Sequence, residues 1–169
     1  MGTLRHAACA VLGTLLFASA VAPASVETPS AERLVIYKSE HKLLVIVQGR
    51  IFRTYRVALG KSPRGAKKCR GDNRTPEGAY FVSRRVPESH YYLALHLSYP
   101  SAEDVEHSEY AGCDPGGDVE IHGLTRGFEW VGERHLEHDW TNGCIALTNP
   151  EIAQIYRMAA VGTPVEIYP

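Results

Sequence analysis

The feature that most constrains the fold is a series of β-rich runs that lie close together early in the chain. Residues 34–37, 43–47 and 51–59 are rich in β-branched, aromatic and leucine residues, which suit a pleated, half-buried surface. Gln48-Gly49-Arg50 separates the second run from the third and is short enough to be a hairpin connection. We therefore predict an antiparallel meander of three strands, which argues against a helical bundle.

Long loops and further short elements follow the meander. Residues 60–78 and 100–117 are rich in Gly, Pro or charged residues and predict two irregular loops. One helix is predicted near the end of the chain, with Asn149 as its cap, Pro150 in its first turn and Gly162 at its end. Further strands are predicted at residues 79–84, 119–122 and 164–168.

The length and net charge of the chain limit its fold class and the partners it can bind. A chain of 169 residues can bury a core as one domain, and we expect a mainly β fold. Its strands would form a curved antiparallel or mixed sheet or a sandwich, with one main helix after Cys144. Eighteen Lys and Arg against nineteen Asp and Glu give a net charge of −1, which offers no general attraction to nucleic acid. We expect no nucleic-acid partner.

The N-terminus has the pattern of a secretory signal peptide. Arg5 precedes an apolar run over residues 7–18, and small residues follow in an arrangement that a signal peptidase can cleave. The alternative is an N-terminal membrane anchor, but the run is shorter than the ~20 apolar residues that cross a bilayer. We predict a signal peptide over residues 1–24, a linker over 25–32 and the folded domain over 33–169. The mature chain would be exported to the periplasm or cell envelope, without an integral membrane segment.

The residues best suited to chemistry are His122 and Cys144, which stand 22 positions apart. A cysteine attacks a carbonyl as a thiolate, and a neighbouring imidazole can accept its proton. Gly143 allows a tight turn, so the backbone N–H groups of Asn142, Gly143 and Cys144 can face a developing oxyanion. The alternative is a buried structural thiol, the more common role of an isolated cysteine. Residue types alone leave both interpretations open.

Two ordered motifs resemble the catalytic domain of L,D-transpeptidases, the YkuD family. Ile121-His122-Gly123 and Asp-Trp-Thr-Asn-Gly-Cys-Ile-Ala-Leu at 139–147 resemble its signature of His-Gly followed by Ser/Thr-x-Gly-Cys. Residues 71–80 resemble its Thr-Pro-x-Gly-x-aromatic segment. Residues 95–100 and 114–117 are similar to one branch of the family, which has the Asp-Trp-Thr-x-Gly-Cys-Ile-Ala turn.

The resemblance covers residues 33–168 and departs from many members at two positions. Asn142 stands where they have His, and Ala146 where they have Arg or Asn. The backbone N–H of Asn142 can serve an oxyanion hole as that of His would. The departure at Ala146 leaves open how a substrate carboxylate is bound and which stem peptide is preferred.

The resemblance implies acyl transfer without a cofactor or metal. Cys144 would attack the carbonyl between the third, diamino-acid residue of a peptidoglycan stem peptide and its fourth residue, D-alanine. His122 would transfer the proton, and Gly123 would orient His122 through its backbone. An amine acceptor would complete transpeptidation, whereas water would make the enzyme an L,D-carboxypeptidase or an amidase that releases a wall-linked lipoprotein. A non-catalytic wall-binding module and a secreted cysteine peptidase are the other classes considered.

Several side chains near the cysteine turn need an assignment. Thr141, Trp140 and Tyr99 are candidates for contact with substrate, although aromatic side chains more often pack in cores. His135 and His138 could suggest zinc, but without a paired-cysteine motif we expect exposed loop histidines and no metal site.

The remaining cysteines allow one disulfide. If Cys9 is removed with the signal peptide and Cys144 stays a free thiol, Cys69 and Cys113 are the only pair left. An oxidising compartment permits that bridge. Two unpaired structural thiols are the alternative, because sequence does not supply the geometry of a disulfide.

Overall fold

The computed structural model describes Gly2 and residues 28–169, so the predicted signal peptide lies outside the described residues apart from Gly2. Within that part, no helix has the length and apolar character needed to cross a membrane. The strands are β1 (Arg33–Tyr37), β2 (Lys42–Val47), β3 (Arg50–Arg56), β4 (Gly78–Ser89), β5 (Tyr92–Leu97), β6 (Glu120–His122), β7 (Ile145–Ala146) and β8 (Pro164–Tyr168). The helices are α1 (Ala102–Tyr110) and α2 (Asn149–Met158), with 3₁₀ turns over Glu129–Glu137.

All eight strands belong to one sheet, in the order β3-β2-β1-β8-β4-β5-β6-β7. The pairs β1–β2 and β2–β3 are antiparallel, which confirms the predicted meander. Gln48 and Gly49 connect β2 to β3 with φ values of 51° and 71°, the positive angles of a two-residue hairpin turn that matches strand twist.

The sheet is mixed and strongly curved. β8 runs parallel to β1, and β7 runs parallel to β6, while the other neighbours are antiparallel. Ala58, just after β3 at one end of the sheet, forms a bridge with Ala146 of β7 at the other end. This bridge brings the two ends together. The predicted curved, mixed sheet is confirmed, and the alternative of a sandwich is wrong.

Helix α2 buries its apolar face against the sheet, as periodicity predicted. Ile152, Ile155 and Met158 are buried, and the first two are 0% exposed. Burying each such side chain stabilises the fold by about 2 kcal/mol. The helix packs mainly on β5, so it supports the half of the sheet that carries β6 and β7.

The predicted ends of α2 need correction. Its N-cap is Thr148 rather than Asn149, because the Glu151 carboxylate accepts hydrogen bonds from the N–H (3.0 Å) and hydroxyl (2.6 Å) of Thr148. The Asn149 side chain instead accepts from the N–H of Leu124 at 2.8 Å. The helix ends at Met158, and Gly162 belongs to the turn that leads into β8.

Helix α1 lies in the region predicted to be an irregular loop, so that expectation is wrong for residues 102–110. Ser101 accepts from the N–H of Asp104 at 3.2 Å, and the Asp104 carboxylate accepts from the N–H of Ser101 at 2.8 Å. This capping box starts the helix. The buried residues of α1 are Asp104 and Ser108, so the sequence has no apolar periodicity that would predict it.

The long loop between β3 and β4 is fixed to the sheet by a buried lysine. Lys38, directly after β1, is 3% exposed. Its ammonium donates to the carbonyls of Gly65 (2.7 Å) and Thr75 (2.9 Å) and to the carboxylate of Glu77 (2.8 Å). A buried charge needs such partners. The loop is therefore held in one arrangement on one side of the cleft described below.

Candidate active site

The imidazole of His122 is oriented by the residue that follows it. His122 ends β6, opposite Ala94 of β5 and Ala146 of β7. Its Nδ1 lies 2.6 Å from the carbonyl oxygen of Gly123. Because a carbonyl oxygen can only accept, Nδ1 carries the proton. Nε2 then keeps a free lone pair, as a general base requires.

The surroundings of His122 leave its ring little freedom. The ring of Tyr91 stacks on the imidazole with centroids 4.1 Å apart, and Trp140 meets it edge-on at 5.9 Å. A Cβ on Gly123 would lie 2.5 Å from Asn149 Oδ1 and 3.0 Å from the Tyr91 carbonyl oxygen. Glycine at this position therefore allows the backbone that holds His122 to approach its neighbours.

Cys144 follows a tight turn immediately before β7. Gly143 has φ 135°, in the region that favours glycine, and a Cβ there would lie 2.7 Å from the carbonyl oxygen of Arg74. The hydroxyl of Thr141 accepts from the N–H of Gly143 at 3.1 Å and donates to the carbonyl of Cys144 at 2.7 Å. The Thr-x-Gly-Cys order thus has a structural reason in the shape of this turn.

The thiol of Cys144 lies beside β6. The parallel register of Ile121 with Ile145 places Cys144 next to Glu120, whose N–H donates to Sγ at 3.4 Å. The thiol in turn faces the carbonyl oxygen of Asp118 at 3.6 Å. Within the described part of the chain, no hydrogen bond joins Sγ to the imidazole of His122. The two side chains nevertheless border the same cavity.

Burial keeps both groups neutral. Burial raises the pKa of the Cys144 thiol to about 11, although the N–H of Glu120 acts against this. Burial also lowers the pKa of His122 to about 4, against the effect of the hydrogen bond to Gly123. A low-dielectric environment disfavours the charged form of each group. At neutral pH the site therefore contains a thiol and a neutral imidazole rather than an ion pair.

Two cavities meet at Cys144. The first, the His122 cavity, has a volume of about 480 Å³ and is bordered by His122 and Trp140. The second, the Arg70 cavity, has a volume of about 370 Å³ and is bordered by Arg70 and Lys67. Molecules in the two cavities would reach the cysteine from different sides. The residues that border both cavities are Asp118, Asn142 and Cys144.

The three backbone N–H groups predicted for an oxyanion hole are not equivalent. That of Gly143 donates to the Thr141 hydroxyl. Among the described residues, the N–H groups of Asn142 and Cys144 make no hydrogen bond with the protein. The Asn142 side chain accepts from Lys61 Nζ at 3.2 Å. Two of the three predicted donors are thus available to a ligand.

A sequence model of the YkuD family, the L,D-transpeptidase catalytic domain, matches residues 31–167. The chain belongs to this family. The match includes His122, Cys144 and every strand of the sheet except the last residue of β8.

Similar proteins share the domain at moderate identity. YqjB of Bacillus subtilis (strain 168), provisionally named an L,D-transpeptidase, is 29% identical over 143 residues, or 82% of this chain and 72% of YqjB. YafK of Escherichia coli (strain K12), provisionally named in the same way, is 29% identical over 147 residues, or 79% of this chain. The helical cell shape determining protein Pgp2 from Campylobacter jejuni has a similar crystal structure, with TM-score 0.60 and 26% identity over 79% of this chain. The chain spans 52% of YafK and 46% of Pgp2, about half of each.

Residues of the YkuD motifs that do not face the cavities support the cysteine turn. Thr75, from the Thr-Pro segment, is 0% exposed, and its hydroxyl accepts from the N–H of Gly60 at 3.0 Å. Gly60 in turn forms a bridge with Thr141. Asp139 accepts from the N–H of Leu59 at 2.7 Å. These bonds tie the turn to the segment that follows β3.

The residues predicted to contact substrate fall into three positions. Trp140 borders the His122 cavity and is partly exposed. Thr141 borders it too, but its side chain is buried and its hydroxyl is engaged in the turn. Tyr99 is 4% exposed and borders neither cavity. It packs against Tyr80, and its hydroxyl donates to the carbonyl of Pro115 at 2.9 Å.

Cys69 and Cys113 form a disulfide with Cα atoms 5.7 Å apart, within the usual range for such a bridge. Cys144 is the free cysteine of the described residues. The bridge joins the β3–β4 loop to the segment after α1, and both border the Arg70 cavity.

The expectation of exposed loop histidines is wrong for one of the two. His135 is 7% exposed, and its Nδ1 accepts from Trp140 Nε1 at 3.4 Å. It packs edge-on against Trp140 and so lies beneath a wall of the cleft. His138 is exposed. Across the described residues, His, Cys, Asp and Glu side chains form no group of three or more suited to a metal ion.

Sequence reasoning missed three residues of the site. Glu120 could have been found, because it lies two positions before His122 in a strand and therefore shares its face. The stacking of Tyr91 on His122 depends on the pairing of β5 with β6, which residue types alone do not predict. The position of Arg70 depends on the disulfide between two loops, whose geometry the sequence does not supply.

Proposed function

We propose that this protein is a peptidoglycan L,D-transpeptidase with Cys144 as nucleophile and His122 as general base. The observation that carries the proposal is the shared cavity of the two residues, with Nδ1 of His122 fixed by Gly123 at 2.6 Å and Nε2 left to accept a proton. Membership of a family that acts on peptidoglycan supports the substrate class. The bond attacked would join the diamino acid at position three of a stem peptide to D-alanine at position four.

The resting protonation states favour deprotonation of the thiol during attack rather than before it. The pKa of Cys144 is raised to about 11 and that of His122 is lowered to about 4. A preformed thiolate–imidazolium pair is therefore disfavoured in the empty site. We infer that the proton of Cys144 moves to Nε2 of His122 as sulfur bonds to the substrate carbonyl. The imidazolium then returns this proton to the departing amine of D-alanine.

The tetrahedral intermediate would be stabilised by the free N–H groups of Asn142 and Cys144. These amides sit on the turn that carries the nucleophile, so they are placed before the substrate arrives, which is the basis of oxyanion stabilisation. The N–H of Gly143 would keep the turn closed through Thr141. The N–H of Glu120, 3.4 Å from Sγ, would lower the energy of the sulfur anion when it forms or leaves.

The acyl-enzyme would be resolved by an amine from a second molecule. Two cavities meet at Cys144, which suits a reaction with a donor on one side and an acceptor on the other. We assign the partly exposed Trp140 to a wall that contacts peptide or glycan. We also propose that the chain is exported and works in the cell envelope, as the N-terminal pattern of residues 1–24 predicts.

The test is mass spectrometry of disaccharide tetrapeptide incubated with the mature protein, with and without an added D-amino acid. Exchange of D-alanine or crosslinking by wild type, lost in Cys144→Ala and in His122→Gln, is the expected result. Release of tripeptide alone would identify a hydrolase instead. Inertness on both tetrapeptide and lipoprotein-linked muropeptide would favour a wall-binding module, and cleavage of ordinary L,L-peptides would favour a cysteine peptidase.

A further inference from the structure

The Arg70 cavity is bordered by two basic side chains and reaches Cys144, but it does not include His122. Arg70 and Lys67 border it, and Asp118 is the acidic side chain that does so. We propose that Arg70 is a specificity-determining residue that binds a carboxylate of the peptide substrate in this cavity. The inference rests on the proposed function and extends it by naming how the peptide is recognised.

Arg70 has hydrogen-bond donors that are not engaged by the protein. Its Nε is paired with Asp114 Oδ2 at 2.9 Å, whereas neither terminal nitrogen makes a hydrogen bond within the described residues. The side chain is 72% exposed, so these two nitrogens are open to a ligand. A guanidinium with one edge engaged still presents two parallel N–H donors, which match the two oxygens of a carboxylate.

Lys67 is less suited to bind the carboxylate directly. Its ammonium donates to Asp72 Oδ1 at 2.9 Å and to the carbonyl of Cys69 at 3.0 Å. Its side chain is only 5% exposed. It therefore braces the loop and contributes long-range charge. The Asp118 carboxylate is 94% exposed and lies 3.2 Å from His96 Nε2, so water screens much of its repulsion.

Arg70 is held in place by several contacts between two loops. Its N–H donates to the carbonyl of Asp114 at 2.6 Å, in addition to the ion pair with the Asp114 side chain. The Cys69–Cys113 disulfide joins the residues next to this pair. Such bracing reduces the entropy lost on binding.

The strand that follows the nucleophile offers no substitute for Arg70. Ala146 is 0% exposed and pairs with Ala58 and His122, so a substrate carboxylate finds no cation there. Lys61 borders the other cavity. Among the described residues that border the Arg70 cavity, Arg70 is thus the cation whose terminal nitrogens are free.

The test measures peptide binding by calorimetry, in a Cys144→Ala background so that binding does not depend on turnover. Three stem tetrapeptides are compared: the free acid, the C-terminal amide and the peptide amidated at the side-chain carboxylate of its diamino acid. Arg70→Gln should raise the dissociation constant of the free-acid peptide by about tenfold to one hundredfold. In the protein that retains Arg70, amidating the carboxylate bound by Arg70 should weaken peptide binding by a similar factor. In the Arg70→Gln protein, the same amidation should have little further effect on binding. The amide that behaves in this way identifies which carboxylate is bound.

Controls make the result decisive. Arg56→Gln removes an exposed cation of β3 and should leave all three dissociation constants unchanged. Arg70→Lys should recover only part of the affinity, because it restores charge but not the paired donors. The proposal would be overturned if the effects of Arg70→Gln and of amidation on the dissociation constant were independent and additive. It would also be overturned if no tetrapeptide bound, or if Lys61→Gln rather than Arg70→Gln abolished the difference in affinity between the free acid and the amides. If binding follows Arg70 but wild type turns over no peptide, the proposed reaction fails while this recognition stands.

Discussion

Replacing Gly123 with alanine tests how the proposed base is held. The new Cβ would lie 2.5 Å from Asn149 Oδ1, 3.0 Å from the Tyr91 carbonyl oxygen and 3.1 Å from Ile152 Cγ2. The first of these atoms is tied to the N–H of Leu124, the second is backbone, and the third belongs to a fully buried side chain. The neighbours therefore cannot all move aside at low energy.

The expected loss of stability and activity in Gly123→Ala follows from these contacts. Overpacking of this kind costs about 1–3 kcal/mol, and displacing Asn149 from Leu124 would add about 1 kcal/mol for the lost hydrogen bond. We expect the free energy of unfolding to fall by about 2–4 kcal/mol. The same shift would disturb the 2.6 Å bond that orients His122. Because small misplacement of a catalytic group is costly, kcat/KM should fall by about one hundredfold.

Urea unfolding and D-alanine release, both at a temperature where the variant is folded, measure the two effects. Gly117→Ala is the control for stability, because its Cβ would meet nothing within 4 Å and Gly117 has no positive φ. It should change the free energy of unfolding by less than about 0.5 kcal/mol. A Gly123→Ala protein with wild-type stability and turnover would refute the assigned role of the glycine.

Three further predictions concern the buried ionisable groups and the disulfide. The pKa values of buried His122 and His135 are lowered to about 4 from 6.5, so their stabilising contribution is full above about pH 6.5 and is lost as pH falls towards 4. Urea unfolding at pH 4.5 should show a loss of about 2 kcal/mol from His122 alone relative to pH 7, and an equal loss in His122→Gln would contradict this. Because the pKa of Cys144 is raised to about 11, the rate of its alkylation by iodoacetamide should rise about tenfold per pH unit from 7 to 10; a plateau near pH 8 would oppose the assignment. Replacing Cys69 and Cys113 by serine should lower the free energy of unfolding by about 4 kcal/mol, as expected for a loop of 44 residues, and unchanged urea midpoints would argue that the bridge is absent in solution.

The sheet was largely predictable because its strands are continuous apolar or alternating runs. The final strand, residues 164–168, was predicted with the bounds it has. Helix α1 was not predicted, since it buries Asp104 and Ser108 rather than an apolar face. Its capping residues, Ser101 and Asp104, were readable in the sequence. A search for caps independent of hydrophobic periodicity would have indicated this helix.

The proposed nucleophile and base could be predicted from residue types and motif order. The residues that surround them could not be predicted in this way. The stacking of Tyr91 on His122 and the position of Arg70 beside Cys144 arise from contacts between distant segments. Such contacts depend on strand pairing and on a disulfide whose geometry sequence does not supply. Tyr99 shows the opposite error, in which a residue is predicted to contact substrate but does not line the cleft. This aromatic side chain lies near a motif in the sequence but packs in the core.

The site lies where the two ends of the curved sheet meet, and this explains the different ways in which its two main residues are held. His122 belongs to β6, which is paired on both sides and backed by buried side chains. Cys144 precedes β7, a strand of two residues that cannot be stable alone. Its position depends on the bridge with Ala58, the hydrogen bond that the N–H of Leu59 donates to Asp139, and the close approach of Gly143 to Arg74. Changes in the β3–β4 loop should therefore move the thiol of Cys144 relative to the imidazole of His122 without unfolding the core, and this loop also carries Arg70. The proposed peptide recognition and the placement of the thiol thus depend on the same segment, and the contacts of Lys38 hold that segment in place before a substrate arrives.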